Sequence, residues 1–232
     1  MNMNRTKIAL FDIDKTIYDG YLIFHLVDYF FEKHIVSKDF VDNLYQDLHL
    51  YRSGQVDYET SVENFNIHTA SGLKNHSLDL ILKTTEAFLE TKEGSNFFPF
   101  AETLIKLLKK THDIYLITGE MQFVGKAVAD YFSVNGFISS ELEVENGLFT
   151  GNINKSLAKR EEKRDSIEDL FAAYSQKGSL AFGDSEGDIE MLNMAEEAFC
   201  INATEGLIEV ALSRGWHIVT PSSILEEVKK VL

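Results

Sequence analysis

The chain has 232 residues, of which 22 are basic and 37 acidic, so its formal net charge at pH 7 is −15. This balance argues against a general binder of nucleic acid or of an anionic membrane, because both partners require a positive field. A hydrophobic content of 44% excludes global disorder. The one cysteine, Cys200, cannot form an internal disulfide, and we expect neither a signal peptide nor a membrane span, because charged residues interrupt every apolar run. We therefore predict a cytoplasmic globular protein.

The first half of the chain combines one apolar run with a long helical pattern. Lys7 to Ile13 is an apolar run that ends in carboxylates, which predicts a buried strand. From residue 19 to residue 92, apolar residues recur at three- and four-residue steps. Breaks near Ser37, Ser53-Gly54 and Ser71-Gly72 divide this segment into four predicted helices.

The second half alternates between strand and helix patterns from Pro99 onward. Strands are predicted at residues 113–118, 136–139, 179–183, 198–201 and 217–220, and a charged helix at residues 155–175. Asn146-Gly147 lies between two alternating runs and predicts a hairpin. Such alternation predicts an α/β fold with a Rossmann-like parallel sheet and helices on both of its faces.

Polar side chains follow three of the predicted strands. Asp12 and Asp14 lie at the end of the first strand, Thr118 at the end of the second, and Asp184 and Asp188 just after a later one. Because the carboxyl ends of parallel strands meet at one edge, we expect the four carboxylates to converge. Four carboxylates so close repel each other unless a cation lies among them, and an all-oxygen ligand set suits Mg²⁺. A single Asp at a strand end is more often a cap or turn residue, but the two patterns together favour a metal site.

The motifs that contain these residues resemble those of a known enzyme superfamily. FDIDKT, LITG, an isolated lysine and GDSEGD occur in the order typical of the haloacid dehalogenase superfamily of phosphohydrolases. The helical insertion and the hairpin SELEVENGLFTG are most similar to its phosphoserine phosphatase-like subfamily, IB, and YRSGQVDYETSV resembles a stretch of that subfamily's cap. The resemblance spans nearly the whole chain. It implies an α/β core of residues 1–18 and 94–232 and an inserted four-helix-bundle cap of residues 19–93.

The resemblance also implies an activity, hydrolysis of a phosphomonoester through an aspartyl-phosphate intermediate. Asp12 would be the nucleophile, and Asp14 would protonate the leaving oxygen and then deprotonate the attacking water. Thr118 and the backbone N–H of Gly119 would bind phosphate oxygens. The substrate expected under a large cap is a small-molecule phosphate ester.

The implied cofactor is Mg²⁺. Its ligands would be Asp12, the backbone carbonyl of Asp14, and Asp184, with Asp188 ordering the metal's waters or its neighbours. A lysine would also bind phosphate, and three candidates lie in the segment KSLAKREEKRDSIEDLF. Lys163 fits the family pattern best, because an apolar helix position follows it by four residues. Lys159 is the alternative.

The sequence departs from phosphoserine phosphatases at two positions. Aligned without gaps, the Glu and Arg that meet the ammonium and carboxylate of phosphoserine correspond to Tyr21 and Phe65. An amino-acid zwitterion left unpaired would cost several kcal/mol, so we expect a substrate other than phosphoserine. The candidate specificity residues are Tyr21, Arg52, Tyr58 and Phe65. The rings of Tyr21, Tyr58 and Phe65 suit an apolar, ring-bearing or quaternary-ammonium leaving group, unless they only pack the helical bundle. Arg52 is a candidate basic contact, which a surface ion pair would explain equally well.

Several alternatives remain open from the sequence. Glu120 either contacts substrate or caps the helix that follows it, and Lys15 is expected to point outward from a turn. A phosphotransferase would use the same covalent intermediate and deliver the phosphoryl group to an alcohol. A non-catalytic binding module is disfavoured because Asp12 and Asp14 are both present. The oligomeric state is not predicted.

Overall fold

A computed structural model describes residues 7–157 and 160–232, apart from the side chains of Tyr58 and Arg160. In this part of the chain the strands are β1 (Lys7–Phe11), β2 (His112–Met121), β3 (Gly136–Glu145), β4 (Leu148–Lys155), β5 (Ser175–Gly183), β6 (Glu197–Ile201) and β7 (His217–Val219). They form one sheet in the order β4-β3-β2-β1-β5-β6-β7. All neighbouring pairs are parallel except β3 and β4, which form an antiparallel hairpin.

Four helices follow β1 and precede the rest of the sheet. They are α1 (Leu22–Glu32), α2 (Lys38–Arg52), α3 (Tyr58–Gly72) and α4 (Leu78–Leu89). Three of them have a polar N-cap residue just before the helix. The side chains of Ser37, Asp57 and Ser77 each accept a hydrogen bond from the backbone N–H three residues later. This all-helical insertion supports the proposal that residues 19–93 form a cap.

The remaining helices flank the sheet. They are α5 (Pro99–Leu108), α6 (Gln122–Tyr131), α7 (Arg160–Phe171), α8 (Ile189–Met194), α9 (Glu205–Arg214) and α10 (Ile224–Val231), with a 3-10 turn at Glu186–Asp188. No helix among the described residues is both long and apolar enough to cross a bilayer.

Several predicted boundaries were wrong at the ends of strands. The charged helix predicted at residues 155–175 is shorter, because Lys155 pairs with Glu141 in the hairpin and Ser175 pairs with Lys7 in the sheet. The strand predicted to end at Ser139 continues to Glu145 for the same reason, since β4 pairs with it. Tertiary hydrogen bonding, which local pattern does not encode, sets these ends.

The sheet is buried on both faces. In β1, Ala9 and Phe11 belong to one apolar cluster and Ile8 and Leu10 to the other. Alternation of this kind follows from the two-residue repeat of a strand that has helices on each side. Because the central strands are fixed in the core, the polar residues at their carboxyl ends are held at a defined edge.

Candidate active site

A cavity of about 150 Å³ lies at the carboxyl ends of β1, β2 and β5, beneath α1, α2 and α3. Most of the residues singled out from the sequence line it, namely Asp12, Asp14, Tyr21, Phe65, Thr118, Gly119, Asp184 and Asp188. Lys163 reaches Asp188 from α7. The side chain of Tyr58 and all of Lys159 lie outside the described residues.

Three buried carboxylates form the centre of this site. One oxygen from each of Asp12, Asp184 and Asp188 lies within 4.8 Å of the others. Burial, followed by the charge of Asp188, raises the pKa of Asp12 well above its usual range and that of Asp184 to about 8. Carboxylates so destabilised in their charged form are stabilised by a bound cation, and oxygen ligands in this number fit a hard divalent metal.

Asp188 is fixed by its neighbours on both sides. Its Oδ1 accepts a hydrogen bond from Lys163 Nζ at 2.7 Å, and its Oδ2 accepts from the backbone N–H groups of Asp184 and Ser185 at 3.1 and 3.2 Å. A Cβ atom on Gly183 would lie 2.5 Å from the Asp188 Cβ, so the glycine in GDSEGD allows this close approach. Asp188 thereby orients both the loop and the lysine.

Lys163 is 6% exposed and projects from α7 into the acidic cluster. Burial disfavours its charge, but the carboxylates of Asp188 and Asp12 outweigh burial and raise the pKa of Lys163. Lys155, by contrast, is the last residue of β4. Lys163 therefore supplies positive charge beside the candidate nucleophile.

A second pair of carboxyl groups, Asp14 and Glu120, lies next to the first turn of α1. Leu22 N–H donates to Asp14 Oδ1 at 2.8 Å. Burial and the neighbouring Glu120 raise the pKa of Asp14 well above its usual range. Burial raises the pKa of Glu120 to about 7, although its hydrogen bonds to Asp14 and to the backbone of Ile23 act in the opposite direction. Glu120 therefore lines the cavity and also contacts the N-terminus of a helix. That helix is α1, whereas the sequence suggested a cap on the helix that follows Glu120.

Thr118 and Gly119 belong to the last residues of β2, which continues to Met121, beyond the predicted end at Thr118. Thr118 Oγ1 accepts from Glu120 N–H at 3.2 Å, and Ser140 Oγ donates to the Gly119 carbonyl at 2.9 Å. A Cβ atom on Gly119 would have no neighbouring atom within 4 Å. This glycine consequently borders open space in the cavity.

Aromatic and apolar side chains from the inserted helices, and from Tyr21 just before α1, also line the cavity. The ring centroids of Tyr21 and Phe24 lie 6.2 Å apart and those of Phe24 and Phe65 lie 6.1 Å apart. Arg52 is not among the lining residues, and its guanidinium lies 5.9 Å from the centre of the Tyr21 ring. The rings thus both pack the helices and face the cavity.

Lys15 was expected to point outward, and this prediction was wrong. It adopts a left-handed backbone conformation with a φ of 56°, and its Nζ lies 4.3 Å from the centre of the Tyr21 ring. Attraction to the ring and to the nearby Asp184 charge accounts for the inward orientation. Sequence reasoning also missed Asp47, which lines the cavity from α2. The sequence feature that could have identified Asp47 is an aspartate at a position where the helical pattern has apolar residues.

The haloacid dehalogenase-like hydrolase family model matches residues 9–193, and the chain belongs to this family. The resemblance inferred from the motifs is confirmed by this match. The protein is accordingly a hydrolase of the α/β fold that the sequence predicts.

Individual relatives are distant in sequence. A phosphoserine phosphatase of Archaeoglobus fulgidus is 24% identical over 212 residues, which are 90% of this chain but 56% of that relative, so the chain spans just over half of its length. The crystal structure of a protein of unknown function from Bordetella pertussis Tohama I has a TM-score of 0.76 at 22% identity, covering 94% of this chain and 99% of its own. A phospho-aspartyl intermediate analogue of phosphoserine phosphatase has a TM-score of 0.62 at 18% identity, with 88% and 90% covered. Both structures have the same fold as this chain.

Proposed function

We propose that the protein is a Mg²⁺-dependent phosphomonoester hydrolase that acts on a small phosphorylated metabolite other than phosphoserine. The observation that carries this proposal is the cluster of Asp12, Asp184 and Asp188 beside Lys163, since the three carboxylates line a cavity that Asp14 also lines. The names of the relatives support phosphate chemistry, since one is a phosphoserine phosphatase.

The residues of this chain would perform the reaction in two steps. In the first, an Asp12 oxygen attacks phosphorus, the bond to the leaving oxygen breaks, and Asp14 gives its proton to that oxygen. In the second, water attacks the aspartyl-phosphate and loses a proton to Asp14, which frees Asp12 and releases phosphate. The raised pKa of Asp14 supports the first step, because it keeps the carboxyl group protonated closer to neutral pH.

The rest of the proposed site stabilises negative charge on the phosphoryl group. Thr118, the backbone N–H of Gly119 and Lys163 would bind its oxygens. Mg²⁺ held by Asp12, Asp184 and the carbonyl of Asp14 would neutralise the charge that develops during transfer. Asp188 would position Lys163 and the loop that carries Asp184, as its hydrogen bonds do in the structure.

The shape of the cavity supports a small substrate. Side chains of α1, α2 and α3 cover it, and its volume is about 150 Å³. Tyr21 and Phe65 both line it, so the two positions that would bind the charged groups of phosphoserine present rings instead. This supports a leaving group without the amino-acid zwitterion.

Hydrolysis of p-nitrophenyl phosphate tests the proposal. We expect turnover that requires Mg²⁺, is abolished by EDTA and falls at least about 10³-fold in Asp12→Asn, because the nucleophile is lost. Asp19→Asn, an exposed aspartate seven residues further on, is the matched control and keeps the activity. A panel of natural phosphomonoesters that includes phosphoserine then tests the substrate. Turnover that survives in Asp12→Asn, or a preference for phosphoserine, would contradict the proposal.

A further inference from the structure

One buried charge in the cavity has no part in the proposed reaction. Asp47, on α2, is 4% exposed and lines the cavity, as do Phe24, Leu48 and Phe65 from the inserted helices. Among the described lining residues that α1, α2 and α3 contribute, Asp47 is the one carboxylate. The acidic cluster lies at the carboxyl ends of β1 and β5, whereas Asp47 belongs to the helices that cover the cavity. A leaving group would extend from the phosphoryl group toward the part that these helices line, which we call the leaving-group end.

A carboxylate among apolar side chains is costly unless charge or hydrogen bonds compensate it. The partner that the structure shows is His68 of α3, whose Nδ1 lies 2.6 Å from Asp47 Oδ2. The His68 side chain is 40% exposed, whereas that of Asp47 is 5% exposed. Two apolar side chains would also hold α2 and α3 together, without the cost of burying a charge. Packing between the helices therefore does not explain why a carboxylate occupies a position that faces the cavity.

The charges around the cavity decide which leaving groups this end can accept. Lys15, the described lysine that lines the cavity, lies against the Tyr21 ring and near Asp184. A leaving group with a carboxylate or a second phosphate would meet the negative charge of Asp47. A neutral apolar group would remove water from Asp47 and return no hydrogen bond. A cationic amine would pair with it, while Phe24 and Phe65 would contact the carbon atoms and the positive charge.

We propose that Asp47 determines substrate specificity by binding a cationic amine on the leaving alcohol of the phosphomonoester. The substrate class is therefore a small phosphate ester with a short carbon body that ends in an ammonium group. This inference rests on the proposed function, since it assigns the leaving-group end of the same cavity.

Matched pairs of substrates test this role by kinetics. Aminoalkyl phosphates of two to five carbons are compared with alkyl phosphates in which a methyl group replaces the ammonium group. We expect the wild-type protein to favour at least one amine over its methyl counterpart by about tenfold or more in kcat/KM, the effect of a charge-assisted hydrogen bond. In Asp47→Asn the ratio falls to below about threefold, because the amide carries no charge to pair with the ammonium group.

Two further variants separate specificity from structure. Asp28→Asn removes the same charge from α1, where the carboxylate accepts a hydrogen bond from the Tyr45 hydroxyl and does not line the cavity, and we expect the amine preference to persist. His68→Gln removes the partner but keeps the Asp47 charge, so the preference also persists. Loss of the preference in either control, or its survival in Asp47→Asn, would overturn the proposal, as would a wild-type protein without amine preference.

Binding to Asp12→Asn, which lacks the proposed nucleophile, gives a readout that needs no turnover. Calorimetry should show a Kd for the preferred aminoalkyl phosphate about tenfold or more below that of its methyl counterpart, and Asp12→Asn/Asp47→Asn should lose this difference. If the protein hydrolyses no phosphomonoester, the proposed function fails, yet this difference still supports the assignment of Asp47. Equal affinities in Asp12→Asn would overturn that assignment even if p-nitrophenyl phosphate is hydrolysed.

Discussion

At the scale of single residues, the first turn of α1 lies against the two carboxyl groups of Asp14 and Glu120. Tyr21 occupies the N-cap position and its side chain makes no capping hydrogen bond, whereas Leu22 N–H donates to Asp14. The core thus supplies the capping groups that the helix itself lacks. A displacement of α1 would change the hydrogen bonding of the proposed proton donor, which links the position of the insertion to catalysis.

Gly119 gives a residue-scale prediction about where the phosphoryl group is bound. A methyl group in Gly119→Ala would enter the cavity without touching any protein atom within 4 Å. We expect kcat/KM for p-nitrophenyl phosphate to fall by about 10²-fold, because the substrate would be displaced from the nucleophile. The free energy of unfolding, measured by thermal denaturation, should change by less than about 0.5 kcal/mol, since no protein contact is altered. Full activity in Gly119→Ala would place the phosphoryl group elsewhere.

At the scale of elements, α2 and α3 approach each other closely at Gly72. A Cβ atom there would lie 2.0 Å from Cδ2 of the Phe40 ring, which is buried in the core. Gly72→Ala should therefore lower the free energy of unfolding by about 1–3 kcal/mol, the usual cost of overpacking, despite the better helix propensity of alanine. Urea denaturation measures the change, and Gly119→Ala is the matched control with room for the same methyl group. Equal stability of Gly72→Ala and wild type would show that the ring moves aside freely.

The insertion is also joined to the hairpin of the sheet by backbone hydrogen bonds. Asn75 N–H donates to the Phe149 carbonyl at 2.8 Å, Phe149 N–H donates to the His76 carbonyl at 3.0 Å, and Leu78 N–H donates to the Gly147 carbonyl at 3.0 Å. Backbone groups are common to all residues, so no side-chain pattern indicates this contact in advance. It fixes the α3–α4 connection to the end of the sheet that carries β3 and β4.

At the scale of the whole molecule, the raised pKa values link stability to pH and to metal. Without metal, the pKa of Asp184 is about 8 and that of Glu120 about 7, against 3.8 and 4.5 ordinarily. The folded state binds these protons more tightly than the unfolded state does, so their stabilising effect is complete below about pH 4 and is lost as pH rises toward 8. We expect the Tm of the protein in EDTA to fall across this range.

Mg²⁺ should reverse that loss where the carboxylates are ionised. At a hundredfold excess over its Kd, a ligand of the folded state adds about 2.7 kcal/mol, which corresponds to about 5 °C or more in Tm for a chain of this size. We expect such a shift at pH 8 and a much smaller one at pH 5, where protons compete for the same oxygens. Asp184→Asn should lose most of the shift and Asp19→Asn should keep it. A metal effect that is equal at both pH values would contradict this account of the site.

The alternation of strands and helices, the four helices after β1, and the polar residues at three strand ends could all be predicted from the sequence. These follow from local rules: the periods of strand and helix, the caps, and the rule that the ends of parallel strands meet. The same rules single out Asp12, Asp14, Thr118 and Asp184, and the positions of these residues at one cavity agree with that reasoning. Their catalytic roles remain predictions.

Which side chains from distant segments share the cavity depends on the folded arrangement and could not be predicted from local patterns. Asp47 lies on a helix that the sequence treats as a packing element, and Lys15 turns inward because Tyr21 and Asp184 attract it. The contact of Lys163, which the family pattern favours in the sequence, with Asp188 likewise depends on how α7 packs. Local patterns describe one segment at a time, whereas these contacts join residues that are distant along the chain, and the folded arrangement alone sets their distances and charges.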